Sequence, residues 1–138
     1  MNHIASPDTS DSAIEREIQA KGLTAPRVTP ADLEANIVGE AYFTAAEGVL
    51  GAYHAHDAVY HGTEVHSPSY ALLTFCVLVL RNGFTVTGES ACASPENFDA
   101  EVGRKIARTN AVNKVWPLMG YELKERLYQR TQPAQSPE

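Results

Sequence analysis

The chain has 138 residues, 43% of them hydrophobic and 20% charged, with a formal net charge of −6. That composition is one ordinary globular domain's worth, and it excludes both a disordered polymer and an apolar membrane bundle. The acidic balance speaks against a long nucleic-acid partner, which needs a broad basic surface, but leaves room for a small anion in a local basic pocket.

No apolar run approaches transmembrane length, and the start MNHIASPDTSD lacks the charged and apolar blocks of a signal peptide. A cytoplasmic address with no membrane partner is therefore expected. Cys76 and Cys92 would then lie in a reducing compartment; they form no metal-ligand spacing and read as small buried hydrophobes.

Residues 1–26 read as a disordered or weakly helical extension. A short helix over Asp11–Lys21 is suggested by Ile14 and Ile18 four apart and by a Glu17–Lys21 pair, with Gly22 ending it. A single α+β domain is expected over 27–130. It opens at Thr29-Pro30-Ala31-Asp32, where Thr29 caps, Pro30 suits the first turn and Asp32 completes an acidic variant of the capping box. Leu33, Ile37 and Ala41 extend that pattern, so the spacing predicts a helix over 30–42. Gly39 within it either weakens the helix or lets a second chain approach closely.

From Glu47 to Tyr70 there is no helical period, and the stretch holds four of the five histidines. Val49–Tyr53 reads as a short strand and residues 51–69 as a His-rich loop insertion. His54, His56, His61 and His66, with Asp57 or Glu64, raise the question of zinc, but the spacings match no tight zinc module and no metal is expected.

The centre of the chain runs from Leu72 to Trp116. Leu72–Leu80 is a short β-branched apolar run, Asn82-Gly83 suits a type I′ turn, and Phe84–Thr87 alternates with period two. The 72–90 hairpin is thus the base of an antiparallel sheet. Ser94-Pro95-Glu96 reads as a helix start. Phe98, Val102 and Ile106 recur every four residues, and Ala111, Val112 and Val115 continue the apolar surface of a long helix over 95–115. Pro117 stops or kinks it. Leu123, Leu127 and the Glu122–Arg126 pair give a C-terminal helix over 118–129, and residues 131–138 read as a disordered tail. A two-stranded hairpin is marginal alone, so further strands must come from 47–70 or from a partner chain.

The chemistry-bearing groups concentrate on the long helix. Lys105 has Glu101 four residues before it, and Arg104 has Glu101 three before. Arg108 has Arg104 and Lys105 at minus four and minus three, a like-charge stack that an anion joining both guanidiniums would relieve. The plain alternatives are a solvated basic face, or pairing with a carboxylate from another chain. The loop Gly88–Ser94 leads to a helix N-terminus, where free N–H groups favour anions, but it is not a P-loop. Asn82, Asn97, Asn110 and Asn113 offer amides; Phe84, Phe98 and Trp116 suit the core better than a stacking platform. No Ser/His/Asp or Cys/His order can be placed on defined elements, and Glu89 and Glu96 are explained by loop and cap roles, so no enzyme and no cofactor is expected.

The segments TPADLEANIVGEAYFTA and LLTFCVLVLRNGFTVTGESACASPENFDAEVGRKIARTNAVNKVWPLMGYELKERL resemble the small phage protein family typified by proteins of N4-like and Sf6-like phages. The resemblance covers about Arg27–Ala46 and Leu72–Leu127, and the run NGFTVTGESAC–ENFD–GRKIA–NAV–W carries it. It implies a kinship with the Thoeris anti-defence proteins of the first type. Those bind and sequester the cyclic ADP-ribose signal of TIR-domain immune enzymes without degrading it. Some also trap CBASS cyclic oligonucleotides, as hexamers assembled from dimers.

Such a ligand needs cations for its phosphates, amides for its base and a flat group for stacking. The candidate set is Arg27, Asn82, Phe84, Ser90, Asn97, Phe98, Arg104, Lys105 and Arg108. The expected partners are a small cyclic nucleotide and further copies of the chain, in the cytosol of an infected cell. The alternative is a phage accessory protein that binds and inhibits a host protein through its basic helix.

Overall fold

The computed structural model describes residues 10–55 and 67–134. Its elements in order are α1 (Asp11–Ala20), α2 (Pro30–Asn36), β1 (Ile37–Thr44), α3 (Ala45–Ala55), β2 (Leu73–Leu80), β3 (Thr85–Ala91) and α4 (Ala100–Thr131). The class is the expected α+β, with an antiparallel sheet on the central hairpin, an N-terminal helix and a long C-terminal one. The chain divides into two compact units, one of Met1–Ala35 with Trp116–Glu138, the other Asn36–Val115.

In the Asn36–Val115 unit the sheet has the order β1-β2-β3, antiparallel throughout. The third strand is β1, which the sequence pattern assigns to the end of a helix. The predicted helix over 30–42 stops at Asn36, whose backbone and side-chain oxygens both accept from the Arg81 N–H, at 2.9 and 3.3 Å. From there the β-branched and aromatic residues of IVGEAYFT pair with β2, with a register shift between Ile37 and Gly39. The stretch read as strand at Val49–Tyr53 lies instead in α3, started by a reciprocal box. The Glu47 N–H donates to Thr44 Oγ1 at 3.2 Å, and the Thr44 N–H to Glu47 Oε1 at 3.0 Å.

The β2–β3 turn departs from type I′. Only Gly83, at φ +90°, has a positive φ, whereas a type I′ turn would require one at Asn82 as well. Asn82 Oδ1 accepts from the Phe84 N–H at 3.0 Å, and the Leu80 carbonyl from the Gly83 N–H at 2.8 Å.

Register assigns the two sheet faces. Glu40, Tyr42 and Thr44 on β1 pair with Leu78, Cys76 and Thr74 on β2, and these with Val86, Gly88 and Ser90 on β3. This is the face α4 covers. The helix lies down on it through a small-residue stripe, Gly103, Ala107 and Ala111, all buried with Val112 and Val115. The approach is closest at Gly88, where a Cβ would overlap the Ala107 carbonyl and the Ala111 amide. Cys76, Leu78, Ala107, Ala111 and Val115 are 0% exposed and form the core. The larger apolar residues of the predicted stripe turn away: Val102 is 52% and Ile106 46% exposed. Close packing at Gly88 admits only small side chains on the facing helix, so volume overrides hydrophobicity in choosing the buried face.

Helix α4 also begins later and runs further than its sequence suggests. Pro95–Asn97 is a separate 3₁₀ turn, and the cap is Asp99, whose Oδ1 accepts from the Val102 N–H at 2.9 Å. The helices read over 95–115 and 118–129 are one, continuing through Pro117. In the other unit the Thr29–Asp32 box is realised in both directions, at 2.9 and 3.0 Å. Helix α1 forms as well, capped by Ser10 and followed by Gly22 at φ +65°. No helix among the described residues is long and apolar enough to cross a membrane.

Candidate ligand site

Helix α4 carries the candidate cations Arg104, Lys105 and Arg108 in the two turns that also hold Gly103 and Ala107 of the small-residue stripe. Arg104 and Lys105 are exposed and Arg108 is half-buried. Lys105 pairs with Glu101 at 3.1 Å, as its spacing predicts, and both side chains are more than two-thirds exposed, so the pair adds little.

Arg108 is held by a partner that its helix does not supply. Its Nε and Nη2 both donate to Glu40 Oε1, at 3.0 and 2.9 Å, across 68 residues of sequence. The other carboxylate oxygen, Glu40 Oε2, accepts from the Tyr42 hydroxyl at 3.0 Å. Glu40 and Tyr42 are two apart on β1, so the strand's period turns both toward α4. Tyr42 stands opposite the fully buried Cys76. The hydrogen bond from Arg108, with a smaller one from Tyr42, holds the Glu40 carboxyl below the usual range against a desolvation that raises it. Burial, then the bond to Glu40, pushes the Tyr42 phenol up to about 12. Burial likewise raises the Cys76 thiol. Cys76 and Cys92 are both free; Cys76 pairs across the strands with Gly88, not Cys92.

The remaining candidates distribute over the fold. Asn82 and Phe84 form the hairpin turn, with Phe84 56% exposed and not in line with the buried Val86. Ser90 is at the other end of β3, opposite Thr74. Six residues of strand separate it from Phe84, roughly 20 Å at 3.3 Å per residue. Asn97 and Phe98 lie with Ser90 toward the start of α4, where Asn97 is exposed and Phe98 half-buried. Within one chain, then, Asn82 and Phe84 are separate from Ser90, Asn97 and Phe98, while Arg104, Lys105 and Arg108 share α4. Arg27 belongs to the other unit, where its two terminal nitrogens donate to the two oxygens of Glu15, both at 2.6 Å.

Sequence reasoning missed Glu40 and Tyr42, and no local signal marks them, because the contact joins a strand to a helix far along the chain. It also missed the clasp at the β3 edge. Here Asn110 Nδ2 donates to the Glu89 carbonyl at 2.7 Å and Lys114 lies 3.8 Å from the Glu89 carboxylate. Of the histidine cluster only His54 is among the described residues, exposed in the last turn of α3; His56, His61, His66, Asp57 and Glu64 lie outside them. Among the described residues no group of three or more His, Cys, Asp or Glu side chains is placed to hold a metal ion.

No curated protein and no solved structure matches the chain. A family of phage proteins does, over residues 28–127, which include the sheet, Glu40, Tyr42 and every candidate but Arg27. The chain belongs to the phage protein family described as N4 Gp49/phage Sf6 gene 66.

Proposed function

We propose that this phage protein binds and sequesters a small cyclic nucleotide immune signal, of the cyclic ADP-ribose type made in Thoeris defence, without cleaving it. Cyclic oligonucleotides of CBASS are a second ligand class for the same surface. The observation that carries the reading is the placement of Arg104 and Arg108 one turn apart on α4, in a chain of net charge −6. Two guanidiniums at that spacing match adjacent phosphate oxygens through charge-assisted bonds, and a local cationic face selects a small anion over a polymer. The protein acts in the host cytosol as a homo-oligomer, a dimer or a hexamer of dimers. Val38, Phe84, Val102 and Ile106, each about half exposed or more, are the apolar surface available for assembly.

Thermal shift against cyclic ADP-ribose isomers, cyclic di- and trinucleotides and linear ADP-ribose tests the reading. A ligand that binds only the folded state raises the midpoint with the logarithm of its excess over Kd. A selective shift with a cyclic compound, and recovery of that compound intact after denaturation, are the expected results. A flat panel at millimolar ligand sinks the reading, and cleaved ligand moves the protein into the enzyme class.

A specific feature favours a second reading, in which α4 docks on and inhibits a host protein. Val102 and Ile106, four apart on α4, stand exposed with Lys105 three residues after Val102, an apolar face with a cation at its edge of the kind that anchors protein interfaces. Under this reading, pull-down of a host protein is lost on Val102→Ser with Ile106→Ser, and the nucleotide panel stays flat.

A further inference from the structure

One face of α1 carries Asp11, Ile14, Glu15 and Ile18, at the three- and four-residue spacing that stacks side chains on a single side of a helix. These four side chains form one wall of a hollow of about 240 Å³. Val28, Pro30 at the start of α2 and Trp116 of α4 form the other. A helix docked by its apolar face fills the space beside it to interior density when packing holds it there. Here the space is not filled. Ile14 lines the hollow and is still 44% exposed, Ile18 and Trp116 are only half-buried, and α1 has no buried residue. Polar contacts accompany this loose docking: Arg27 grips both oxygens of Glu15, each at 2.6 Å, and Trp116 Nε1 donates to Asp11 Oδ2 at 3.3 Å.

The two carboxylates of the hollow differ in what they have left to bind. Both oxygens of Glu15 go to one guanidinium, which cancels its charge. Asp11 receives a long bond from a neutral indole on one oxygen, and no cation pairs with it among the described residues. The hollow therefore offers apolar walls from Ile14, Ile18, Val28, Pro30 and Trp116 together with one uncompensated negative charge. That combination complements a molecule with an apolar body and a single positive charge, and it repels an anion of the same shape. The volume lies under the roughly 300 Å³ at which drug-sized pockets begin, so the molecule is a small one.

We propose that the hollow at α1 is a binding site for a small hydrophobic primary ammonium, of the size and chemistry of 2-phenylethylamine. The aryl or alkyl body lies against the five apolar side chains, and the ammonium donates to Asp11 Oδ1. The site is separate from the anion reading proposed above: its charge excludes a phosphate, and neither reading depends on the other. The wall on α1 precedes the stretch matched to the phage family, residues 28–127. An occupant that touches both walls ties α1 to Trp116 and opposes its local opening.

The test titrates 2-phenylethylammonium into the full-length protein at neutral pH, with 2-phenylethanol and 3-phenylpropionate as neutral and anionic probes of similar shape. Trp116, the single tryptophan, reports through its emission and its indole ¹⁵N–¹H resonance. A saturable change is expected for the ammonium with a Kd of about 1 mM, the range open to about nine non-hydrogen atoms. The alcohol is expected to bind about tenfold more weakly, for want of a charge-assisted bond, and the anion not at all. Asp11→Asn keeps the shape and an acceptor for Trp116, and is expected to bring the ammonium down to the level of the alcohol. Ile14→Phe fills the hollow without touching its charge, and is expected to abolish binding of both. Amide spectra of each free variant show whether α1 is still formed. No saturation well above the expected Kd, equal binding of alcohol and ammonium, or full affinity in Asp11→Asn overturns the proposal. Binding that survives Ile14→Phe with α1 intact places the ammonium elsewhere on an acidic surface and overturns it too.

Discussion

The residues that decide this fold are small ones and one unsatisfied one. Gly88 sits where the helix backbone meets the sheet, so Gly88→Ala forces apart two main chains that cannot yield as a flexible side chain would. A loss of about 3 kcal/mol or more is expected, at the upper end for overpacking, read as a lowered denaturant midpoint. Thr74 presents the reverse case. It is 3% exposed, its Oγ1 finds no hydrogen-bond partner among the described residues, and Gly103 lies against it. Thr74→Val keeps the shape and removes the stranded hydroxyl, so it should be neutral or stabilise by about 1 kcal/mol. Destabilisation by that amount would mean the hydroxyl is satisfied after all. The Glu40–Tyr42 pair adds a pH signature. Tyr42's folded pKa is raised to about 12 from 10.0, so its contribution is complete below about pH 10 and is lost as pH climbs toward 12. Tyr42 should ionise late by ultraviolet absorbance, and Glu40→Ala should bring its ionisation earlier.

At the scale of elements, what was legible in the sequence was whatever is encoded within a few residues. The Thr29–Asp32 box, Gly22 ending α1, the Asn82-Gly83 turn and the Glu17–Lys21, Glu101–Lys105 and Glu122–Arg126 pairs all appear where their spacing puts them. The Thr44-x-x-Glu47 box is the same signal and equally local. Illegible were the features that need a partner from elsewhere. Leu33, Ile37 and Ala41 keep helical spacing, yet β1 is a strand because β2 offers its hydrogen bonds. Val102 and Ile106 out-score Ala107 and Ala111 for hydrophobicity, yet the sheet accepts only the small stripe. Arg108 reads as an unpaired cation until Glu40 is brought across. This bears on mutagenesis of the candidate site. Arg104→Ala should leave stability within about 0.5 kcal/mol, as for an exposed helix residue. Arg108→Ala strands Glu40 and should cost about 1 kcal/mol, between the values for surface and buried pairs. Thermal midpoints of the two variants should differ accordingly.

At the scale of the whole chain, α1 and the central sheet are held by different physics, and this sets the order in which they open. The Asn36–Val115 unit has the buried strand β2 at its centre, with Cys76 and Leu78 fully excluded from water. In the other unit α1 has no buried residue, and Ile14 is 44% exposed. The contacts of α1 include polar ones, the two-pronged Arg27–Glu15 pair and a 3.3 Å bond from Trp116 Nε1 to Asp11, beside a half-buried Ile18. Both α1 and Arg27 precede the stretch matched to the phage family, residues 28–127, whereas Trp116 lies within it. Polar clasps in water open at little cost, and local opening precedes global unfolding wherever few apolar contacts oppose it. Native-state hydrogen exchange should therefore show β2 amides protected to the global limit and α1 amides exchanging far faster. The hydrogen bonds from Arg27 hold the Glu15 carboxyl below 4.5, so its contribution is intact above that value and fades as pH falls through the lower folded one. The protein has a single tryptophan, so Trp116 emission reports the clasp directly. Acidification through that window, or Arg27→Ala at neutral pH, should shift it to the red while β2 protection stays unchanged. If β2 protection and Trp116 emission were lost together, α1 would be part of the cooperative core, and its docking would have to rest on more than polar contacts.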